Sequence, residues 1–544
     1  MSLVADVTRL PGRLSKRAGI EGFCALSLFR AGAFGLEPPH RLAHVLLAFQ
    51  RNGPAGAALE VACRRHGSRT ALIDERRSIS FTELDERSER LAIALRDRGF
   101  VDGDSIGLLC RNHVGLFEAL FAAAKLGART VLLNTDFGAT QLADVCEREK
   151  ISLLIHDEEF STAADGLALT KVLAWTDSDR DDSIATLIGT VSSRASQRKL
   201  AHPKFSQQIV LLTSGTTGTP KGAAREFGVS LAIPGGYLAK IALRSQENVL
   251  VAVPVFHAWG LLSSVISLAL ADTLVLHRRA APAELADSLQ RYGCDGLITV
   301  PIVLSRLLSE LAENPRPLPS LRLVAVSGSA LPAELARRVR SALGDVLYNL
   351  YASTEVAYAT IATPTDLAEA PGSVGKPPFG TTVKILDADG QTLPTGESGR
   401  IFVGSTLQFG GYTGGGSKEQ VAGLMSTGDL GHLDEHGRLW IDGRDDDMIV
   451  SGGENVFPAE VENLLAGHAD IAEAAVLPIE DEEFGQRLRA YVVLSSAGSL
   501  TEDDVKAYVK SHLARYKVPR EIRFLDELPR NPAGKVVKRE LPQD

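Results

Sequence analysis

The stretch Ile209-Val-Leu-Leu212 runs directly into Thr213-Ser-Gly-Thr-Thr-Gly-Thr-Pro-Lys-Gly222. Four apolar residues read as a buried strand, and the ten that follow combine small hydroxylated residues with glycines. That composition lets backbone N–H groups and hydroxyls crowd around phosphate oxygens, while Lys221 supplies positive charge. It is not a Walker loop, which would need glycine where Pro220 stands and Ser or Thr where Gly222 stands. Working outward, similar short apolar runs occur at 106–110, 131–133 and 153–155 on one side, and at 249–253, 274–276, 297–300 and 323–326 on the other. Helical patterns separate them, including 114–126 and a segment with Leu84, Leu91 and Leu95 whose start is signalled by Thr82 and Asp85 as a capping box. Such alternation predicts crossover units and a largely parallel sheet. Beyond residue 380, glycine-rich turns such as Asp387-Ala-Asp-Gly390 and Asp434-Glu-His-Gly437 predict a small β subdomain. A helix over 458–465, strands near 474–477 and 489–494 and a helix over 502–513 predict a compact α+β unit.

The chain has 544 residues, 44% hydrophobic and 23% charged, with a net charge of −9. This is a globular, multi-domain composition, and its acidity argues against nucleic acid as a partner. The five cysteines (Cys24, Cys63, Cys110, Cys146 and Cys294) have no metal-ligand spacing and read as reduced core thiols of a cytoplasmic protein. Residues 249–271 carry no Asp, Glu, Lys or Arg, but Pro254, His257 and Gly260 favour a strand and a buried helix over a membrane span. At the N-terminus, Arg9, Arg13, Lys16 and Arg17 precede an apolar run bounded by Glu21 and Arg30, too tightly for a secretory signal. Residues 1–55 are expected to form a leader of unknown role: a docking arm, a flexible segment, or a basic amphipathic contact with an acidic membrane surface.

Further motifs follow in order: Pro254-Val-Phe-His-Ala-Trp-Gly260, Ser327-Gly-Ser-Ala330, Tyr351-Ala-Ser-Thr-Glu355, Ser426-Thr-Gly-Asp-Leu430, Gly443-Arg-Asp-Asp-Asp-Met448, Ser451-Gly-Gly-Glu-Asn-Val-Phe-Pro458 and Pro529-Arg-Asn-Pro-Ala-Gly-Lys-Val-Val-Lys538. With the Thr213 stretch, this set resembles the adenylate-forming superfamily of acyl-CoA synthetases, luciferases and peptide-synthetase adenylation domains, most of all the bacterial fatty-acyl-CoA ligases. Ala352 stands where the family usually has glycine.

The resemblance implies a large α/β N-terminal adenylation domain of parallel-sheet layers with a small β subdomain (56–445), and a mobile α+β C-terminal domain (446–544). It implies ATP and Mg²⁺ as cofactors, coenzyme A as acceptor and a carboxylic acid, expected to be a fatty acid, as substrate. Thr213, Ser214, Gly215, Thr216, Thr217, Gly218 and Lys221 would hold phosphates. Gly328, Ser329, Ala330, Asn349 and Tyr351 would line the adenine side, Thr354 the phosphates, and Glu355 would bind Mg²⁺, a hard cation suited by a carboxylate. Asp429 and Arg444 would hold the ribose, His257 and Trp259 border the acid, and Lys535 stabilise charge during adenylation. Asp446 would be the hinge that later presents Ser451, Gly452, Gly453 and Glu454 to coenzyme A, because adjacent glycines let backbone approach a narrow thiol arm. No acidic residue in these segments marks a partner for an α-amino group, which disfavours amino-acid substrates. Two alternatives stay open at this point: delivery of the acyl group to a carrier protein or another nucleophile, and a nucleotide-binding protein on a retired synthetase fold.

Overall fold

A computed structural model describes residues 3–34, 39–191, 208–213, 221–225, 230–279, 281–353, 355–405, 411–413, 415, 417–444, 449–451, 454–481, 485–495, 498–532 and 534–542. The apolar runs form two sheets. One has eight strands, in the order Ala357–Ala362, Leu347–Ser353, Leu323–Val326, Gly296–Thr299, Asn248–Val251, Thr273–Leu276, Thr70–Ile73 and Ser78–Ser80. Its inner six are parallel and both edges antiparallel. The other has six: Thr170–Trp175, Ile151–Asp157, Ser105–Leu109, Arg129–Leu132 and Ile209–Thr213, all parallel, closed by antiparallel Lys221–Arg225. Strands buried on both faces are what uninterrupted apolar runs encode. Helices Phe81–Asp97 and Val114–Leu126 pack on each other, the first against the eight-stranded sheet and the second against the six-stranded one. The main core therefore joins Leu72, Val249 and Leu274 to Ile106, Leu132 and Ile155.

Two smaller sheets follow. Thr382–Leu386, Gly399–Gly404, Gln420–Val421, Leu424–Leu433 and Leu439–Arg444 make the antiparallel β subdomain. The C-terminal unit is a sheet of Ile449–Ser451, Glu454–Val456, Ile471–Asp481, Gly485–Leu494 and Glu521–Phe524, covered by helices Pro458–Leu465 and Glu502–His512 around its own core.

Three expectations change. The capping box belongs to Ser80 and Glu83, not Thr82 and Asp85: the chain is still extended at Ser80, which receives the Glu83 N–H and gives its own N–H to the Glu83 carboxylate. Asp85 instead pairs with Lys125 at 2.8 Å. The boundary at residue 55 falls inside helix Pro39–His66, just past its kink at Gly53. Nor is the N-terminal segment separate. In helix Leu3–Ala31, Ile20, Cys24 and Leu28 join the main core, and Cys24 lies so close to Gly235 that a Cβ there would be 2.3 Å from the cysteine Cβ. Glu21 accepts hydrogen bonds from the Ser230 hydroxyl (2.7 Å) and the Leu231 N–H (2.8 Å) at the start of helix Ala232–Leu238. All five cysteines are free, four buried and Cys63 half-buried. Residues 249–271 are the expected strand and buried helix Ala258–Ala269, and among the described residues no helix is long and apolar enough to cross a membrane.

Candidate active site

In parallel sheets, ligand sites form outside the carboxyl ends of the strands. Residues 254–257, Val300 and 327–330 follow such ends in the eight-stranded sheet, residues 351–353 form the last part of strand Leu347–Ser353, and Thr213 ends a strand of the six-stranded one. Asn112 joins the two groups, donating to Val253 O (2.8 Å) and accepting the Val255 N–H (2.9 Å). Thr213 and Lys221 face each other across an antiparallel pair. Ser214, Gly215, Thr216, Thr217 and Gly218 lie outside the described residues, as do the side chains of Thr213 and Lys221. Gly222 is buried where a Cβ would sit 2.5 Å from Thr413 Oγ1 and 2.8 Å from Glu149 Oε1, so no larger residue fits without displacing both.

Tyr351 and Asp429, read separately from the motifs, are bonded partners: the phenol donates to Asp429 Oδ2. Asp429 stands opposite Arg444 across the strand pair. Burial pushes the Asp429 carboxyl up, while the Tyr351 hydroxyl and the charges of Arg444, Lys535 and Lys418 pull it back. A polarised carboxylate ringed by cations suits paired hydroxyl donors such as those of a ribose. Lys418 was not singled out from the sequence. It stands near Gly428, where a Cβ would lie 3.4 Å from Lys418 Nζ and 3.7 Å from Arg444 Nη2. Asn349 is buried in the same strand as Tyr351, in register with Val326.

Glu355 follows a turn in which its N–H and that of Val356 both reach the Ser353 hydroxyl at 3.3 Å. Its Oε1 accepts from Tyr412 at 2.7 Å, and among the residues whose side chains are described no cation pairs with it. An oriented carboxylate oxygen fits a hard divalent ion. Thr354 lies outside the described residues. Tyr412 and the neighbouring Thr413 were also missed, although their setting in Phe409-Gly-Gly-Tyr-Thr-Gly-Gly-Gly416 was a legible signal.

His257 occupies the N-cap position of helix Ala258–Ala269, with its ring 4.5 Å from Phe256. Its Nε2 is buried without a partner among the described residues, and burial pushes its pKa down to about 4. Trp259 is buried, bonds Thr299 O at 3.0 Å and faces Tyr237 at 6.3 Å. Gly328 takes φ +91° in the turn after Leu323–Val326, while Ser327 is tied to Leu350 O at 2.7 Å. Ser329 and Ala330 complete that turn, with Ala330 exposed.

Lys535 closes a tight turn in which Asn531 Oδ1 receives its N–H at 2.9 Å and Arg530 holds Gly534 O. Gly534, at φ +76°, packs on Val300 and Ile302. A Cβ at Gly328 would also touch Val300, at 3.5 Å, so the C-terminal turn and the 327–330 turn meet over one residue. Ser451 and Glu454 face each other in a hairpin of the C-terminal sheet, their side chains undescribed; Gly452, Gly453 and Asp446 lie outside the described residues.

A profile described as AMP-binding enzyme matches residues 59–413, and one described as AMP-binding enzyme C-terminal domain matches 460–535. The chain is 33% identical to 2-succinylbenzoate–CoA ligase of Geobacillus kaustophilus (strain HTA426), over 87% of this chain and 94% of that protein. It is 31% identical to feruloyl-CoA synthase of Amycolatopsis sp (85% and 93%). It is 29% identical to fatty acid–[acyl-carrier-protein] ligase ScoC of Streptomyces coeruleorubidus (87% and 92%). Among solved structures, o-succinylbenzoate CoA synthetase (MenE) from Bacillus subtilis with the acyl-adenylate OSB-AMP superposes at TM-score 0.78 and 29% identity, over 90% and 98% of the two chains. The same enzyme with ATP and magnesium ion gives 0.76, at 29% identity over 89% and 98%.

Proposed function

The chain belongs to the AMP-binding enzyme family and is an ATP-dependent acid–CoA ligase acting through an acyl-AMP, and on that premise we propose that its acid is an aryl carboxylic acid. The fatty acid expected from the motifs gives way, because the acids named for two of the three relatives above, 2-succinylbenzoate and ferulate, are aromatic. That is the observation that carries the reading. His257, which burial keeps neutral and whose Nε2 is buried with no partner among the described residues, is compatible with it as a hydrogen-bonding group for such an acid.

The acid carboxylate attacks the α-phosphate of ATP and pyrophosphate leaves. Thr213, the glycine- and threonine-rich residues 214–218 and Lys221 hold the leaving phosphates. Tyr351, Asn349 and Gly328–Ala330 line the adenine, and Asp429 with Arg444 accepts and orients the ribose hydroxyls. Lys535 stabilises the charge that develops as the new P–O bond forms. Glu355 would hold Mg²⁺, which when bound would supply further neutralisation of phosphate charge. The C-terminal unit then turns about Asp446, withdrawing Lys535 and presenting the 451–454 hairpin to the coenzyme A thiol, which attacks the acyl carbon and expels AMP. Acid-dependent exchange of pyrophosphate into ATP across a panel of aryl and straight-chain acids, followed by mass spectrometry of the thioesters, tests the substrate. Aryl acids should be turned over faster, and a preference for straight-chain acids would overturn the reading.

A further inference from the structure

Glu355 is reached by a neutral donor, and that donor sits beside a second anchored residue. Tyr412 gives its hydroxyl to Glu355 Oε1 at 2.7 Å. Next in the chain, Thr413 gives its N–H to Gly222 O at 2.8 Å and its hydroxyl to Glu149 Oε1 at 2.8 Å. Glu149 is itself 2% exposed and held by Arg129 and by Arg148 (3.0 Å), at the end of helix Ala139–Arg148 in the six-stranded half. The dipeptide 412–413 thus ties one carboxylate in each half of the large domain to the strand leaving the phosphate-type loop.

We propose that Tyr412 is a positioning residue that aims the Glu355 carboxylate at the metal, and that Glu149, through Thr413, fixes Tyr412 and the base of the phosphate loop as one unit. This rests on Glu355 being the metal-side carboxylate. A neutral donor suits this role because it fixes the carboxylate's orientation and leaves its charge whole, where a lysine or arginine would compete with the cation. Gly222 is part of the same device, because any side chain there would break the Thr413–Glu149 bond.

The test measures ATP binding by calorimetry with and without Mg²⁺, and the Mg²⁺ dependence of pyrophosphate exchange, in Tyr412→Phe, Thr413→Val and Glu355→Gln, each with its melting temperature. Tyr412→Phe should raise the half-saturating Mg²⁺ about 10-fold, the range seen when partners of metal ligands are removed, while leaving affinity for metal-free ATP unchanged. Thr413→Val, which leaves the Tyr412 hydroxyl in place, should shift it in the same direction by less. If Glu355→Gln raises the Mg²⁺ requirement and Tyr412→Phe does not, the positioning role is wrong. If neither does, the assignment of Glu355 fails and takes this proposal with it. Lower melting temperatures with no change in Mg²⁺ dependence would reduce the contacts to packing and overturn the proposal.

Discussion

His257 shows how burial decides the chemistry of a single residue. With its pKa pushed from 6.5 to about 4, it is neutral across the physiological range and offers a substrate a hydrogen-bonding ring, not a charge. Unfolding exposes it and lets it take up a proton between about pH 6.5 and 4, so stability should fall as pH drops through that window, by about 3 kcal/mol at most. In urea unfolding at several pH values, His257→Gln should show a slope smaller by close to one proton over that window. Lys535→Ala should abolish pyrophosphate exchange and leave thioester formation from supplied acyl-AMP largely intact. Equal loss of both would remove Lys535 from the adenylation step. The motifs gave Tyr351 to the adenine side and Asp429 with Arg444 to the ribose, as separate assignments. They could not show that the Tyr351 phenol is bonded to Asp429, which lies 78 residues away and finds it only through the β subdomain's strand pairing.

Elements were legible where their cause is local. Helices Val114–Leu126 and Pro458–Leu465 and strand Leu323–Val326 begin and end where the apolar patterns place them. Caps were not, because the carboxylates that satisfy two of the helix starts, those at Val114 and Ala232, come from distant segments. The Val114 N–H bonds Asp74 Oδ2 at 2.9 Å, and Asp74 Oδ1 receives the N–H groups of Arg76 and Arg77, also at 2.9 Å. A local capping rule cannot see a residue 40 positions away. Asp74→Ala should cost about 2–4 kcal/mol, since it leaves three N–H groups without their acceptor, and denaturant unfolding measures this directly. Glu21→Ala, which removes the corresponding contact from helix Ala232–Leu238, should cost about 1 kcal/mol by the same method.

For the molecule as a whole, the C-terminal unit docks through a residue that tolerates no side chain. A Cβ at Gly534 would lie 2.6 Å from Ile302 Cγ2, on backbone at φ +76°. Gly534→Val should therefore hinder docking of the Lys535 turn, slowing pyrophosphate exchange while sparing thioester formation from supplied acyl-AMP. Asp446→Pro should do the reverse, and measuring both half-reactions in both variants separates docking from turning. The sequence showed the division into a large body and a small unit, because motif order and hairpin composition change along the chain. It did not show that helix Leu3–Ala31 belongs to the body, because its partners are remote. That remoteness has a consequence in time. Glu21 and Ser230 are 209 residues apart, and ribosomes add roughly 5–20 residues per second, so the helix emerges roughly 10–40 s before the surface that receives it has been made. During synthesis the apolar side of Ile20, Cys24 and Leu28 must be shielded by something other than its native neighbour, which makes this helix a segment of the nascent chain open to chaperones.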